Sequence, residues 1–574
     1  MVRQGNRADR FRGLEARSEP GEGEMRPVGT WGEPTVTESP LAGHPVGPAR
    51  STRPPRALVA GLAALTLAVA ALLLPGPSGM PIGVGQDAPA EVRVAGIEPD
   101  SFDPALAGDV ASGAILANLY EGLTGFDPAL NVRPALASSW EADPEWRRIV
   151  FHLRDGLTFS DGSALRPGDV VRSWLRLLRA RAPLAGLLGD VEGSAECGPA
   201  SCDPSKVGIK ALGDGVEVRF HRPAPWFVAA TASAALAVVP STIDPQGVSM
   251  RPGDFVGSGA YVLEAVNLTS LTLLGNRHYW AGPPPIDRVV VVTAAEQGTL
   301  SAFRDGELDY TEIPDFEARW IRYDKAVGPA LRSEPSLSVE YYGFDTTRPP
   351  FDDARVRRAF ALAVDWRGLA RAAGGGQEPA TSLVPPGIPG RSGLDLLPPY
   401  DPDEARRLLA QAGYPGGAGF PDVALQTSGS RYDEAIRAAI ARELEVALRG
   451  EILADFLARM LGEDRPAMWS IAWIADYPDP YDFLGVLLGG GQVSNFGRWQ
   501  NAAFDAALER AGTAATAAQR ARAYEEAELI VQAEAPIVPI AYSTSWALAR
   551  DGLLGAQTGG IGIVRFAGLA WSEE

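Results

Sequence analysis

From residue 91 onward, short runs of period two alternate with longer windows of period near 3.6, which predicts an α/β protein rather than a sandwich or a helical bundle. RRIVFHLR (147–154) and GVEVRFHRP (215–223) predict half-buried strands. Between them, RPGDVVRSWLRLLRAR (166–181) places its apolar residues on one helix face, with Pro167 in the first turn. GAYVLEAVNLTSLTLLGN (259–276) predicts two strands joined around Asn267. RVVVVTAA (288–295) is a β-branched run of the kind found in strands covered on both faces. A helical window and then LDYTEI (308–313) follow it, a strand–helix–strand unit suited to the start of a second lobe. DDARVRRAFALAVDW (352–366) and DPDEARRLLAQAG (401–413) predict helices that open on acids, the second closed by Gly413. A helix over 520–535 and a strand, IVPIAY (537–542), complete the pattern, which contains no internal repeat.

The N-terminal pattern is different. Residues 1–55 are rich in Gly, Pro, Ser, Glu and Arg and have no hydrophobic period, so a disordered tail is expected. ALVAGLAALTLAVAALLL (57–74) carries no charge and is long enough to span a bilayer. Arg50, Arg53 and Arg56 precede it and no Arg or Lys follows until Arg93, so the positive-inside bias puts the tail in the cytoplasm and the body outside. Ala88-Pro-Ala90 resembles a cleavage site but lies well past the apolar run, and no Cys follows that run. An uncleaved signal anchor with a linker over 75–90 is the expectation, with the body of the protein at the cell surface or in the periplasm.

At 574 residues the chain exceeds one ordinary core, which implies two or three packed units. A formal net charge of −19 and the lack of a basic stripe interleaved with aromatics argue against a nucleic-acid partner. The two cysteines, Cys197 and Cys202, lie in a Gly/Pro/Ser loop; in an oxidising compartment this predicts a small structural disulfide. The four histidines are scattered, so neither a metal site nor a cofactor is expected. There is no G-x-S-x-G elbow, no phosphate loop ending in Gly-Lys-Ser/Thr and no H-E-x-x-H. Ser258 has no evident His partner, and paired acids such as Asp352-Asp353 suit helix starts. These features favour a binder over an enzyme.

A series of ordered segments makes the reading more specific. IEPDSFDPALAGDVASGAILANLYEGLTGFD, RPALASSWEAD, FHLRDGLTFSDGSALRPGDVVRSWLRLL, GSGAYVLE, PPFDDARVRRAFALAVDW, AWIADYPDPYDFL, AFDAALERA and AEAPIVPIAY follow one another over most of 91–545. Together they resemble the family 5 solute-binding proteins of ABC importers, the peptide-, dipeptide- and nickel-binding group. The resemblance implies a type II periplasmic-binding-protein-like fold of two α/β lobes that close on a ligand. The first lobe would cover 91–290 plus 538–574 with a small domain inserted at about 123–210, and the second 291–537. Chain crossings near RVVVV and IVPIAY would form the hinge. It also implies a permease and its ATPase as partners, besides a short peptide or related solute. The stretch from 444 to AWIADY departs from the family's pattern by lacking a clear second-lobe strand.

In peptide-binding members an acid in the segment matching AWIADY holds the ligand's ammonium, and the matching residue here is Asp476. A carboxylate in a closed cleft is costly alone, whereas a ligand ammonium neutralises it. The backbone of Trp473, Ile474 and Ala475 would add the ligand as a strand, Trp473 and Tyr477 would line the site, and Asp109, Val110 and Ala111 would face it from the first lobe. Plainer readings stand beside these: Asp476 as a turn residue, Asp479 as a cap before Pro480, and Trp473 as core. A membrane-anchored sensor that keeps the binding fold without transport, a binder of a non-peptide solute and a hydrolase on the same scaffold are the competing functions.

Overall fold

Most of the expected strands join one sheet. The computed structural model describes residues 90–106, 109–243, 255–374 and 376–572; the tail, the apolar segment 57–74 and the linker up to 89 lie outside them. Among the described residues no helix is long and apolar enough to cross a membrane. The eleven-stranded sheet runs, in spatial order, Arg449–Ile452, Ala424–Thr427, Met468–Ile474, Leu331–Phe344, Ile537–Ala549, Tyr310–Glu312, Glu91–Ala95, Arg288–Val292, Ser270–Gly275 and Tyr261–Val266. The short strand Glu378–Pro379 also pairs with Ile537–Ala549.

Alternation decides which face each strand buries. In Glu91–Ala95, Val92 and Val94 are buried, and they run parallel to Arg288–Val292 with Val92 opposite Val289 and Val94 opposite Val291. Arg288–Val292 buries Val289 and Val291 but leaves Val290 and Val292 half-buried, so its second face is less covered than the β-branched run predicts. The hairpin expected around Asn267 is present, closed by the Asn267 N–H donating to the Ser270 carbonyl at 2.8 Å. Arg449–Ile452 occupies the place where the sequence suggested a missing strand. It is a mostly exposed edge strand, parallel to Ala424–Thr427, and therefore carries little hydrophobic signal.

A second, antiparallel sheet orders Ala137–Ala142, Arg148–Leu153, Gly215–Arg219 and Ile209–Leu212. It extends past 210 to Arg219. The helix Pro167–Ala180 supplies Val170, Trp174, Leu177 and Leu178 to the core it shares with this sheet. Cys197 and Cys202 are joined in a disulfide. Because so short a loop removes little chain entropy, replacing both with Ser is expected to cost only about 2 kcal/mol, measured by urea unfolding.

Leu331–Phe344 and Ile537–Ala549 connect the two halves of the large sheet. They pair with each other from Leu331↔Leu548 to Gly343↔Ile537, with irregularities between Pro335 and Val339 and between Glu340 and Tyr341. At one end Ile537–Ala549 also pairs with Tyr310–Glu312, and near the other Leu331–Phe344 pairs with Met468–Ile474. Arg288–Val292, by contrast, is enclosed between Glu91–Ala95 and Ser270–Gly275.

Candidate ligand-binding site

Met468–Ile474 runs antiparallel to Leu331–Phe344, with Ile474 opposite Ser338 and Ala472 opposite Glu340. The hydrogen-bond parity of this ladder is fixed at both ends. Ala475 N–H donates to the Leu337 carbonyl at 2.9 Å, and Asp345 N–H donates to the Ala467 carbonyl at 3.0 Å. Odd-numbered residues of the strand therefore direct their backbone groups toward Leu331–Phe344, and even-numbered residues toward the other edge. On that edge Ala424–Thr427 pairs only with Met468 and Trp469. Ala472 and Ile474, both exposed, consequently present backbone groups that meet no strand among the described residues. An added strand was expected to use Trp473 to Ala475. Trp473 and Ala475 are already committed to the neighbouring strand, so the available positions are Ala472 and Ile474.

Asp476 follows at the strand's end and is half-buried. Among the described residues no hydrogen bond or ion pair reaches its carboxylate, and burial pushes its pKa up to about 6. Its backbone N–H donates to Asp482 Oδ2 at 3.1 Å, and the Trp473 indole N–H donates to the same oxygen at 3.0 Å. Asp482 is fully buried in the first turn of the helix Pro480–Leu488. Burial first, and then the charge of Asp476, hold its carboxyl well above the usual range. A helix N-terminus favours an anion by about 0.3–1 kcal/mol, whereas removing a carboxylate from water costs several, so burial prevails. Asp479 is the N-cap: its side chain accepts from Tyr481 N–H at 2.9 Å and pairs with Arg520 at 2.8 Å.

Tyr477 corrects an expectation. It is fully buried, with its ring stacked on Trp226 at 5.5 Å between centroids, and belongs to the core rather than to a ligand surface. Trp226 also stacks on Tyr481 at 5.1 Å, and the Tyr481 hydroxyl donates to Asp190 Oδ2 at 3.1 Å. The region around the small sheet thus braces the loop that carries Asp476. Trp473 is half-buried against the same core, and Ala475 is buried.

Asp109 is the N-cap of the helix Val110–Leu119; its Oδ1 accepts from Ser112 N–H at 2.8 Å. Although desolvation opposes this, hydrogen bonds from Ser112 and Ala111 keep its pKa below the usual value. Its side chain is occupied as a cap, so Asp109→Ala is expected to cost about 1 kcal/mol in urea unfolding.

Val110 is 41% exposed and Ala111 half-buried. Contacts lead from this helix start to Asp476. A Cβ at Gly562 would lie 2.8 Å from Val110 Cγ1, Leu337 N–H donates to the Gly560 carbonyl at 2.7 Å, and the Leu337 carbonyl accepts from Ala475. In the same loop Thr558 N–H donates to Glu334 Oε1 at 2.7 Å. Sequence reasoning missed Asp482, Trp226 and this loop. Only Asp482 left a trace, as an acid after Asp479-Pro480, and that pattern is the ordinary one for a helix start. A small, partly open pocket lies elsewhere, beside Glu528, Ser382 and Gln532.

The profile of the bacterial extracellular solute-binding proteins, family 5, matches residues 131–495. The chain is 33% identical over 470 residues to the probable deoxycholate-binding periplasmic protein YgiS of Escherichia coli, covering 78% of this chain and 86% of that one. It is 28% identical over 530 residues to the periplasmic oligopeptide-binding protein OppA of the same organism, covering 88% and 96%. The solved structure of the Escherichia coli murein tripeptide binding protein MppA superposes with a TM-score of 0.71 at 26% identity, over 85% of this chain and 99% of that one. The architecture is the two-lobed α/β fold of periplasmic binding proteins, and the chain belongs to the family 5 bacterial extracellular solute-binding proteins.

Proposed function

We propose that the protein is the extracytoplasmic receptor of an ABC importer and captures short peptides by their free amino terminus. The observation that carries this reading is Asp476: a half-buried carboxylate without a cation among the described residues, at the end of a strand whose outer edge is open at Ala472 and Ile474. A ligand ammonium would neutralise the acid, and its backbone would add to that edge irrespective of side chains. The first-lobe face would come from the helix start at Val110 and Ala111 and the loop around Gly560. Closure would bend Leu331–Phe344 and Ile537–Ala549, where the ladder is irregular. The segment 57–74 would tether the receptor beside its permease and ATPase.

The relative named for deoxycholate makes an acidic steroid the relevant competitor. An anionic ligand would bring like charge to Asp476. Equilibrium dialysis of the full-length protein against equimolar tri-alanine and deoxycholate at pH 7.5 tests the proposal. Selective retention of the tripeptide is expected, and selective retention of deoxycholate overturns the reading.

A further inference from the structure

Asp482 is a buried carboxyl whose two oxygens have unlike surroundings. One oxygen, Oδ2, accepts two hydrogen bonds, from Trp473 Nε1 and from Asp476 N–H, both residues of the segment that ends the open strand. The other, Oδ1, is buried and has no hydrogen-bond partner among the described residues. The side chain is fully buried, and among the described residues no cation pairs with it. The titratable groups around it are Asp476, Asp479, Tyr477 and Tyr481. Asp479 is neutralised by Arg520 and bonded to Tyr524, and Tyr481 donates to Asp190, which pairs with Arg222. The Arg520 and Arg222 charges are thus already matched by other acids.

We propose that Asp482 is a neutral carboxyl with its proton on Oδ1, a positioning residue that holds the Trp473 indole and the Asp476 backbone so that Asp476 is the one charge offered to a ligand. Both accepted hydrogen bonds fall on Oδ2, which leaves Oδ1 as the oxygen free to carry the proton. A second negative charge beside Asp476 would raise the cost of ionising the anchor itself, and protonation removes that conflict. The role rests on the peptide reading, whereas the protonation does not.

Infrared spectroscopy of the ligand-free, full-length protein tests the proton directly. At pH 7 the difference between wild type and Asp482→Asn is expected to contain a carboxylic-acid C=O band above the carboxylate bands. A difference containing only carboxylate bands overturns the proposal. Trp473→Phe, which removes one donor to Oδ2, is expected to shift the same band; a band that stays in place overturns the proposal even if the Asn variant does not fold. Tri-alanine supplies the functional arm: its binding in buffers of different ionisation enthalpy is expected to release the same number of protons from wild type and Asp482→Asn, because a carboxyl that stays neutral contributes none. Greater release from wild type would mean that Asp482 ionises on binding and overturns the neutral positioning role. Failure of tri-alanine to bind either protein counts against the peptide reading and leaves the infrared result to decide the proton.

Discussion

Asp476→Asn is expected to weaken binding of a free-amine tripeptide by about 2–5 kcal/mol while making the ligand-free protein more stable. The two effects have one cause. Burial raises the Asp476 pKa from 3.8 to about 6, so the folded state holds this proton more tightly than the unfolded chain does. Such an acid stabilises the fold fully below about pH 4 and loses that contribution as pH rises through 6. At pH 7.5 the ionised, unpaired group is a liability, and removing it should stabilise by on the order of 1–3 kcal/mol after allowance for partial exposure. Urea unfolding of both proteins at pH 5 and 7.5 checks the sign: the gain should be larger at 7.5. Affinity depends on pH in the opposite direction. If Asp476 receives the ligand ammonium, binding needs it ionised, so affinity should weaken as pH falls through 6, and weaken again above about 8 as the ammonium deprotonates. A stabilised variant with undiminished affinity would separate the acid from the ligand site.

The second large effect lies away from the site. Asp103 and Arg176 form a two-pronged ion pair, with Nη1 to Oδ1 at 3.2 Å and Nη2 to Oδ2 at 2.5 Å, and both side chains are almost fully buried. The pair joins the segment before the helix Val110–Leu119 to the helix Pro167–Ala180. Asp103→Ala removes the carboxylate that pairs with the buried guanidinium and is expected to cost about 3–5 kcal/mol. Replacing both partners, as Asp103→Leu with Arg176→Met, should cost far less, because breaking a buried pair is worse than removing it. Urea midpoints of the single and double variants measure the difference. Equal losses in the two would mean that the packing of Arg176, rather than its charge, holds the segments together.

The parts of the fold visible in the sequence are those set by local patterning. In Arg148–Leu153 and Gly215–Arg219 the residues Ile149, Phe151, Leu153, Val216 and Val218 recur at every second position because they join the core that Trp174 and Phe227 fill, although Val150 and Glu217 on the other face are buried as well. Pro167–Ala180 keeps its apolar stripe for the same core. Arg449–Ile452 was not visible because an exposed edge strand needs no apolar face. At the site the place of Asp476 at the end of a strand could be read, but not which backbone groups are free. Whether Ala472 and Ile474 or Trp473 and Ala475 point to the open edge depends on ladder register with Leu331–Phe344, a long-range property. Tyr477 illustrates the same limit. Its place beside Asp476 suggested a ligand contact, but a partner 251 residues away in sequence, Trp226, draws it into the core.

The most direct test of the account is a calorimetric double-mutant cycle with tri-alanine and N-acetyl-tri-alanine on full-length wild type and Asp476→Asn at pH 7.5. If Asp476 receives the ammonium, acetylation should cost wild type about 2–5 kcal/mol and cost the Asn variant almost nothing. If acetylation costs both proteins the same, or costs wild type nothing, Asp476 is not the anchor and the account of the site fails.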